Sequence, residues 1–258
     1  MSARLALALL AAAALGAASA ASAQAIPNPV RTLDGSGNNV ANPTWGQAGS
    51  NYVRVAGSNY ADGIGKVQPG PDERYLSNRI FNDIGQNVFS EDEVSQWGWV
   101  WGQFMDHDFG LRDETATEHA PLAFNASDPL ESFTNDFGAI DFFRTNPSPD
   151  TGVRNRPRAH VNTLSSYIDG SNVFGITGSR LDWLRDGSAD GNPANNEATL
   201  MLPDGYLPKA TARGDVAAAP PMDLMGPLTG QSAKAVVAGD VRANENIALT
   251  ATHTLFAR

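Results

Sequence analysis

Apolar residues recur at helical spacing in a few stretches of this chain, separated by long runs rich in Gly, Pro and Asn. The heaviest stretch is WGWVWGQFMDHDFG, residues 97–110, which holds three of the five tryptophans. Ser90 followed by Glu93 reads as a capping box, so a helix is expected over 90–107 with Trp97, Trp99 and Trp101 in its core-facing bulk. A second helix is expected over 176–186 (ITGSRLDWLRD), capped by Thr177 or Ser179. A third is expected over 240–258, where Ile247, Leu249, Leu255 and Phe256 recur near helical spacing and Arg242, Glu245 and Leu249 share one side. No Gly, Asn or Pro closes that last helix. Its open end predicts a polypeptide cut short relative to the fold it encodes.

The remaining sequence adds one short helix within 74–88 and much irregular chain. Residues 27–71 are turn-rich, with Asp34-Gly35, Asn42-Pro43 and Asp62-Gly63 as punctuation, and read as an arm whose Trp45, Tyr52 and Tyr60 pack on a helical body. Residues 110–145 are mixed and acidic, 146–157 read as a surface loop, and 187–230 are again loop-like. No internal repeat or heptad run occurs. The expected architecture is mainly α, with long irregular loops.

Composition narrows the chemistry. The chain has 258 residues, 41% hydrophobic and 18% charged, which suits a globular domain with a real core. A net charge of −10 without any basic run argues against a nucleic-acid partner. Cysteine is absent, so disulfides, thiolate nucleophiles and sulfur-ligated zinc are excluded, and any metal is held by oxygen or imidazole. Residues 1–24 have the charged start, apolar run and Ala21-Ser22-Ala23 site of a signal peptide. The apolar run is short for a membrane span. The mature domain is therefore expected over 25–258, exported to the periplasm or the medium.

Three polar constellations could carry chemistry. On the first helix Gln103, Asp106 and His107 project from roughly one face, while Asp108 lies about 100° further round and can serve a different site. A neutral imidazole beside a carboxylate and an amide is a proton shuttle; a lone helical histidine is equally a packed, hydrogen-bonded residue. The second cluster is Ser165, Asp169 and Ser171, with the Tyr167 carbonyl between them: an oxygen set suited to a hard cation such as calcium. Alone it is an ordinary turn that lacks EF-hand spacing, and Asp108 is the natural second carboxylate. Third, Arg242 and Glu245 read alone as surface ion-pair residues.

Together these motifs resemble a family. Trp101-Gly102-Gln103-Phe104-Met105-Asp106-His107-Asp108, then Ser165-x-Tyr167-Ile168-Asp169-Gly170-Ser171-Asn172-Val173-Phe174-Gly175, then Gly239-Asp240-x-Arg242-x-x-Glu245 look like the animal-type haem peroxidases of the peroxidase–cyclooxygenase superfamily. Three motifs in the right order make the match specific. The resemblance implies a haem peroxidase-like helical domain that reduces hydrogen peroxide and oxidises a halide, thiocyanate or organic donor. It implies His107 as the distal histidine, Arg242 as the distal arginine and Gln103 as a distal hydrogen-bonding residue. Asp106 and Glu245 match carboxylates that form ester links to haem b. Asp108, Ser165, Tyr167, Asp169 and Ser171 match calcium ligands.

The match has departures too. Asn246 stands where a sulfonium-forming methionine occurs in myeloperoxidase, so that link is not expected. None of the remaining histidines, His119, His160 or His253, reads as the iron-ligating proximal residue. The chain is thus expected to carry the distal half of a haem site, with the proximal ligand supplied from elsewhere. Two other classes stay open: a fatty-acid oxygenase of the same superfamily, and a secreted calcium-binding or adhesion module without catalysis.

Overall fold

The computed structural model describes residues 32–82, 85–86, 89–112, 115–124, 128, 138–176 and 178–258. The expected leader and Thr177 lie outside them. Among the described residues five α-helices alternate with short strands and single 3-10 turns: α1 (Glu73–Ile80), α2 (Gln96–Phe109), α3 (Ser171–Phe174), α4 (Gly178–Leu184) and α5 (Ile247–Ala257). The architecture is mainly helical, and none of these helices is long and apolar enough to cross a membrane.

The central helix starts later than the capping box predicts. Glu93 sits at φ 54, a left-handed conformation that no right-handed helix accommodates, and its N–H closes a tight turn on the Ser90 carbonyl. Ser95 is the N-cap instead, without a side-chain cap bond. The three tryptophans do not fill a core either: Trp97, Trp99 and Trp101 are 59%, 62% and 48% exposed. Residues two apart on a helix point about 200° apart, so alternate tryptophans cannot share one buried face. Val100 and Phe104, four apart, take the buried face.

Phe104 packs with Val173 of α3 and Leu249 of α5, and this small cluster joins the three site-bearing helices. Phe104 also stacks on Phe256 and meets the His253 ring edge-on, with centroids 4.8 and 5.0 Å apart. A second cluster places Trp183 and Leu184 of α4 against Ala210, Ala235 and Val237, so the loop-like 187–238 region wraps an apolar centre of its own.

The helix expected over 240–258 is broken. Val241–Asn244 form a 3-10 turn capped by the Asp240 side chain, and α5 restarts after Asn246, whose side chain accepts from the Leu249 N–H. Arg242 therefore stands on the turn and not on the same helix as Leu249.

Two short antiparallel pairs occupy the 115–145 region: β1 (Ala116–His119) with β4 (Phe143–Thr145), and β2 (Leu122–Ala123) with β3 (Ala139–Ile140), nested as one hairpin. The N-terminal arm docks on the 158–167 segment. The Gly49 N–H reaches the Asn162 carbonyl, the Tyr52 hydroxyl reaches Asn162 Oδ1, and the Tyr60 hydroxyl reaches the Arg158 carbonyl. Trp45 contributes its carbonyl to the Tyr167 hydroxyl while its ring stays exposed.

Candidate active site

Helix α2 presents His107 on one side and Asp108 on another, as the helical offset requires. Both are buried. Their surroundings differ completely.

His107 Nε2 lies 3.8 Å from Glu245 Oε2. Gln103, one turn earlier, donates to that same carboxylate oxygen at 2.6 Å and accepts from Asn246 Nδ2 at 3.0 Å. Burial, followed by repulsion from Arg242, lowers the His107 pKa to about 4, so the imidazole is neutral at neutral pH. Burial raises the Glu245 carboxyl above its ordinary range, against the pull of Arg242.

Arg242 is fixed at three points. Its Nε and Nη2 donate to the two Asp240 oxygens at 2.9 and 2.6 Å, and Nη2 also reaches the carbonyls of His107 (3.2 Å) and Gly110 (3.1 Å). Burial alone would disfavour its charge, but the hydrogen bonds and charge of Asp240 outweigh that and leave its pKa raised. Gln103, His107, Arg242 and Glu245 thus converge on one site. Asp106 stands exposed at the margin and makes no hydrogen bond to them.

On the far side, Asp108 caps the 169–172 turn. Its Oδ2 accepts from the backbone N–H of Asp169 (2.9 Å) and Gly170 (3.0 Å), and its Oδ1 accepts from that of Asn172 (3.2 Å). The Ser171 hydroxyl donates to the Asp108 carbonyl at 3.1 Å, and the Ser165 hydroxyl donates to Asp169 Oδ2 at 2.8 Å. Burial, offset in part by the Ser165 and Ser171 hydrogen bonds, raises the Asp169 carboxyl. Asp108, Ser165, Asp169 and Ser171 therefore converge, with Tyr167 between them. Among the described residues no group of three or more His, Asp or Glu side chains could hold a metal, so a cation here would rest on two carboxylates plus hydroxyl and carbonyl oxygens.

The two sides are joined through backbone. The Asp240 N–H donates to the Asn172 carbonyl at 2.7 Å and the Gly239 N–H to the Val173 carbonyl at 3.0 Å. Gly239 is pressed so close that an added Cβ would lie 2.3 Å from Ser171 O and Gly175 N. Contacts thus run from Asp108 through 169–173 to Asp240, on to Arg242, and back to His107.

Several members of this site carry no signal in their residue type or spacing. Asp240 falls within a quoted motif, but nothing in its spacing says that it holds Arg242. Asn162 is also missed; its side chain bonds Phe109 O, Leu111 N, Leu164 N, Ser166 Oγ and Tyr52 OH, and so pins the end of α2. Asn246 before an apolar run is a readable N-cap signal.

The sequence matches the family model described as animal haem peroxidase over residues 30–258. The chain belongs to the animal haem peroxidase family. It is 28% identical over 264 residues to the peroxidasin homolog of Mus musculus, covering 88% of this chain and 17% of that protein. It is likewise 28% identical over 264 residues to the lactoperoxidase of Mesocricetus auratus, covering 90% of this chain and 36% of that one. Peroxidase A from Dictyostelium discoideum superposes with a TM-score of 0.65 at 24% identity, covering 89% of this chain and 44% of that one. The chain therefore spans well under half the length of the relatives it matches.

Of the described histidines outside α2, His119 is exposed and pairs with Asp141, His160 lines a cleft beside Arg158, and His253 is buried against Phe104 with Nδ1 near the Leu249 carbonyl. None of the three bonds Gln103, Arg242 or Glu245. The donors that do converge there, a neutral imidazole, a fixed guanidinium, an amide and carboxylates, fit the peroxide-facing side of a haem.

Proposed function

We propose that this chain supplies the peroxide-facing half of a haem peroxidase site, and that the complete enzyme reduces hydrogen peroxide while oxidising a halide, thiocyanate or organic donor. The observation that carries this reading is the pairing of a buried neutral His107 with an Arg242 guanidinium clamped to the His107 carbonyl. Haem, when bound, supplies an iron at which the O–O bond of hydrogen peroxide is cleaved.

His107 Nε2 accepts a proton from one peroxide oxygen and passes it to the other, which leaves as water. Such a relay needs an imidazole that is unprotonated beforehand, and burial ensures that. Arg242 stabilises the charge that develops on the departing oxygen; being held by Asp240 and two carbonyls, it needs no reorganisation to do so. Gln103, held between Glu245 and Asn246, orients a small donor or water in the same pocket. Asp106 and Glu245 are the carboxylates through which haem would be attached.

Asp108, Ser165, Tyr167, Asp169 and Ser171 would hold calcium on the opposite side of α2. The two serine hydroxyls that now donate to Asp108 O and Asp169 would turn their lone pairs to the ion. A net charge of −10 and the Ala-rich leader support export rather than any nucleic-acid role.

A haem titration followed at the Soret band tests the reading. Uptake by this chain alone is expected to be weak, because His119, His160 and His253 are each engaged outside the site; a stable five-coordinate histidine spectrum would overturn that division of labour. With haem held in a complete site, His107→Leu is expected to slow peroxide turnover by about 10²–10⁴-fold. Oxygen uptake with an unsaturated fatty acid, in place of peroxide turnover, would move the assignment to the oxygenase branch.

A further inference from the structure

One cavity borders the end of α2 at Tyr52 and Arg112. The N-terminal arm, the first turn of α1, the nested hairpin and the 158–160 segment enclose an open cleft of about 950 Å³. Its walls are of two kinds. Val67, Leu122 and Phe142 supply apolar surface, and Arg112, Arg144 and Arg158 supply three guanidinium groups.

The charges do not cancel. Glu118 accepts from Arg144 Nη1 at 2.6 Å and from Arg158 Nη1 at 2.7 Å, so one carboxylate is shared by two cations. Among the described residues that line the cleft, Glu73 is the one carboxylate, against Arg112, Arg144 and Arg158, on a protein of net charge −10. Arg158 is buried and its Nε has no partner. Among the described residues Arg112 makes one side-chain hydrogen bond, from Nε to Thr145 Oγ1, and no carboxylate pairs with it. Its two terminal nitrogens are thus open at an exposed position. His160, also in the wall, is held below its ordinary pKa by burial and by Arg158, Arg54 and Arg144, as a locally positive field requires.

We propose that this cleft binds a small organic monocarboxylate, with the Arg112 fork taking the carboxylate and Val67, Leu122 and Phe142 taking an apolar body. A guanidinium with both terminal nitrogens open matches a carboxylate in two parallel hydrogen bonds. A monoanion is favoured, because Arg144 and Arg158 are already engaged by Glu118 and a dianion such as phosphate would also meet Glu73. The apolar wall favours an organic ligand over a mineral one. This site is independent of the haem reading and stands or falls without it.

Isothermal titration calorimetry on the full chain, at neutral pH and low ionic strength, tests the proposal with octanoate, octanamide and inorganic phosphate as probes. Octanoate is expected to bind one site per chain, with octanamide about tenfold weaker or worse and phosphate unable to compete at equal concentration. Arg112→Gln is expected to bring octanoate down to the level of the amide, with unchanged circular dichroism. Phe142→Ala is expected to weaken both ligands alike, and it decides the matter if Arg112→Gln does not fold. The proposal is overturned if octanoate fails to bind, if the amide binds equally well, if folded Arg112→Gln retains full octanoate affinity, if Phe142→Ala leaves both affinities unchanged, or if phosphate displaces octanoate on equal terms.

Discussion

Arg242 donates from Nη2 to the backbone carbonyl of His107 at 3.2 Å, so the guanidinium is positioned by the histidine's own main chain as well as by Asp240. The positions of the two groups are therefore one structural quantity. Removing Arg242 leaves the buried Asp240 carboxylate without its cation. Arg242→Gln is expected to lower stability by about 3–5 kcal/mol in urea unfolding, and adding Asp240→Asn should recover a large part of that loss. Equal and additive losses from the two substitutions would show that the pair does not act as a unit.

The buried imidazole makes stability depend on pH. The folded pKa of His107, about 4, lies below the ordinary value of 6.5, so the unfolded chain binds more protons between these values. The contribution is fully present above about pH 6.5 and is lost as pH falls through about 4. Its ceiling is on the order of 3 kcal/mol. Buried His253 and half-buried His160 are shifted the same way, so only the difference between wild type and His107→Leu isolates it. Parallel stability curves for the two proteins from pH 7.5 to 4 would rule this out.

Calcium is checked by removing it. If Asp108, Ser165, Tyr167, Asp169 and Ser171 hold the ion, excess chelator should lower the thermal midpoint by about 5–10 °C relative to saturating calcium. Asp169→Asn should abolish the difference, because Oδ1 can still accept the Ser171 N–H while the second charge is gone. An unchanged midpoint with chelator would remove calcium from the assignment.

Gly239 is the tightest joint in the site. A methyl group there would meet Ser171 O and Gly175 N, both main-chain atoms with no freedom to move aside. Gly239→Ala is expected to cost about 3 kcal/mol and to raise the exchange rate of the Asp240 amide. A wild-type urea midpoint for this variant would show that the two segments can separate.

Much of the site is legible in the sequence where regular geometry governs it. The consecutive residues His107 and Asp108 diverge because a helix turns about 100° per residue, and that is how they stand. Ser165, Asp169 and Ser171 meet around a left-handed turn at Gly170 and the start of a helix, not along the extended loop that their alternation suggests. Where local signals compete, reading fails. Ser90 and Glu93 form a turn instead of a cap, and the 240–258 run breaks at Asn246 because the amide caps a new helix. The tryptophans of α2 show a different limit: apolar character says that a residue favours burial, but not which face of the helix the described fold covers. The Asp240 hold on Arg242 and the Asn162 contacts depend on tertiary approach, which spacing does not encode.

The circuit of contacts from Asp108 to Asn172, Asp240, Arg242 and back to His107 has a consequence for assembly. Its Asp240–Arg242 link is local, but Asp108–Asn172 and Arg242–His107 join positions 64 and 135 residues apart. Loop closure must therefore come before Arg242 meets His107 or Asp108 meets the 169–172 turn. The acid–base pair and the Asp108-capped turn are therefore expected to appear in the same kinetic phase of folding, and to vanish together on unfolding.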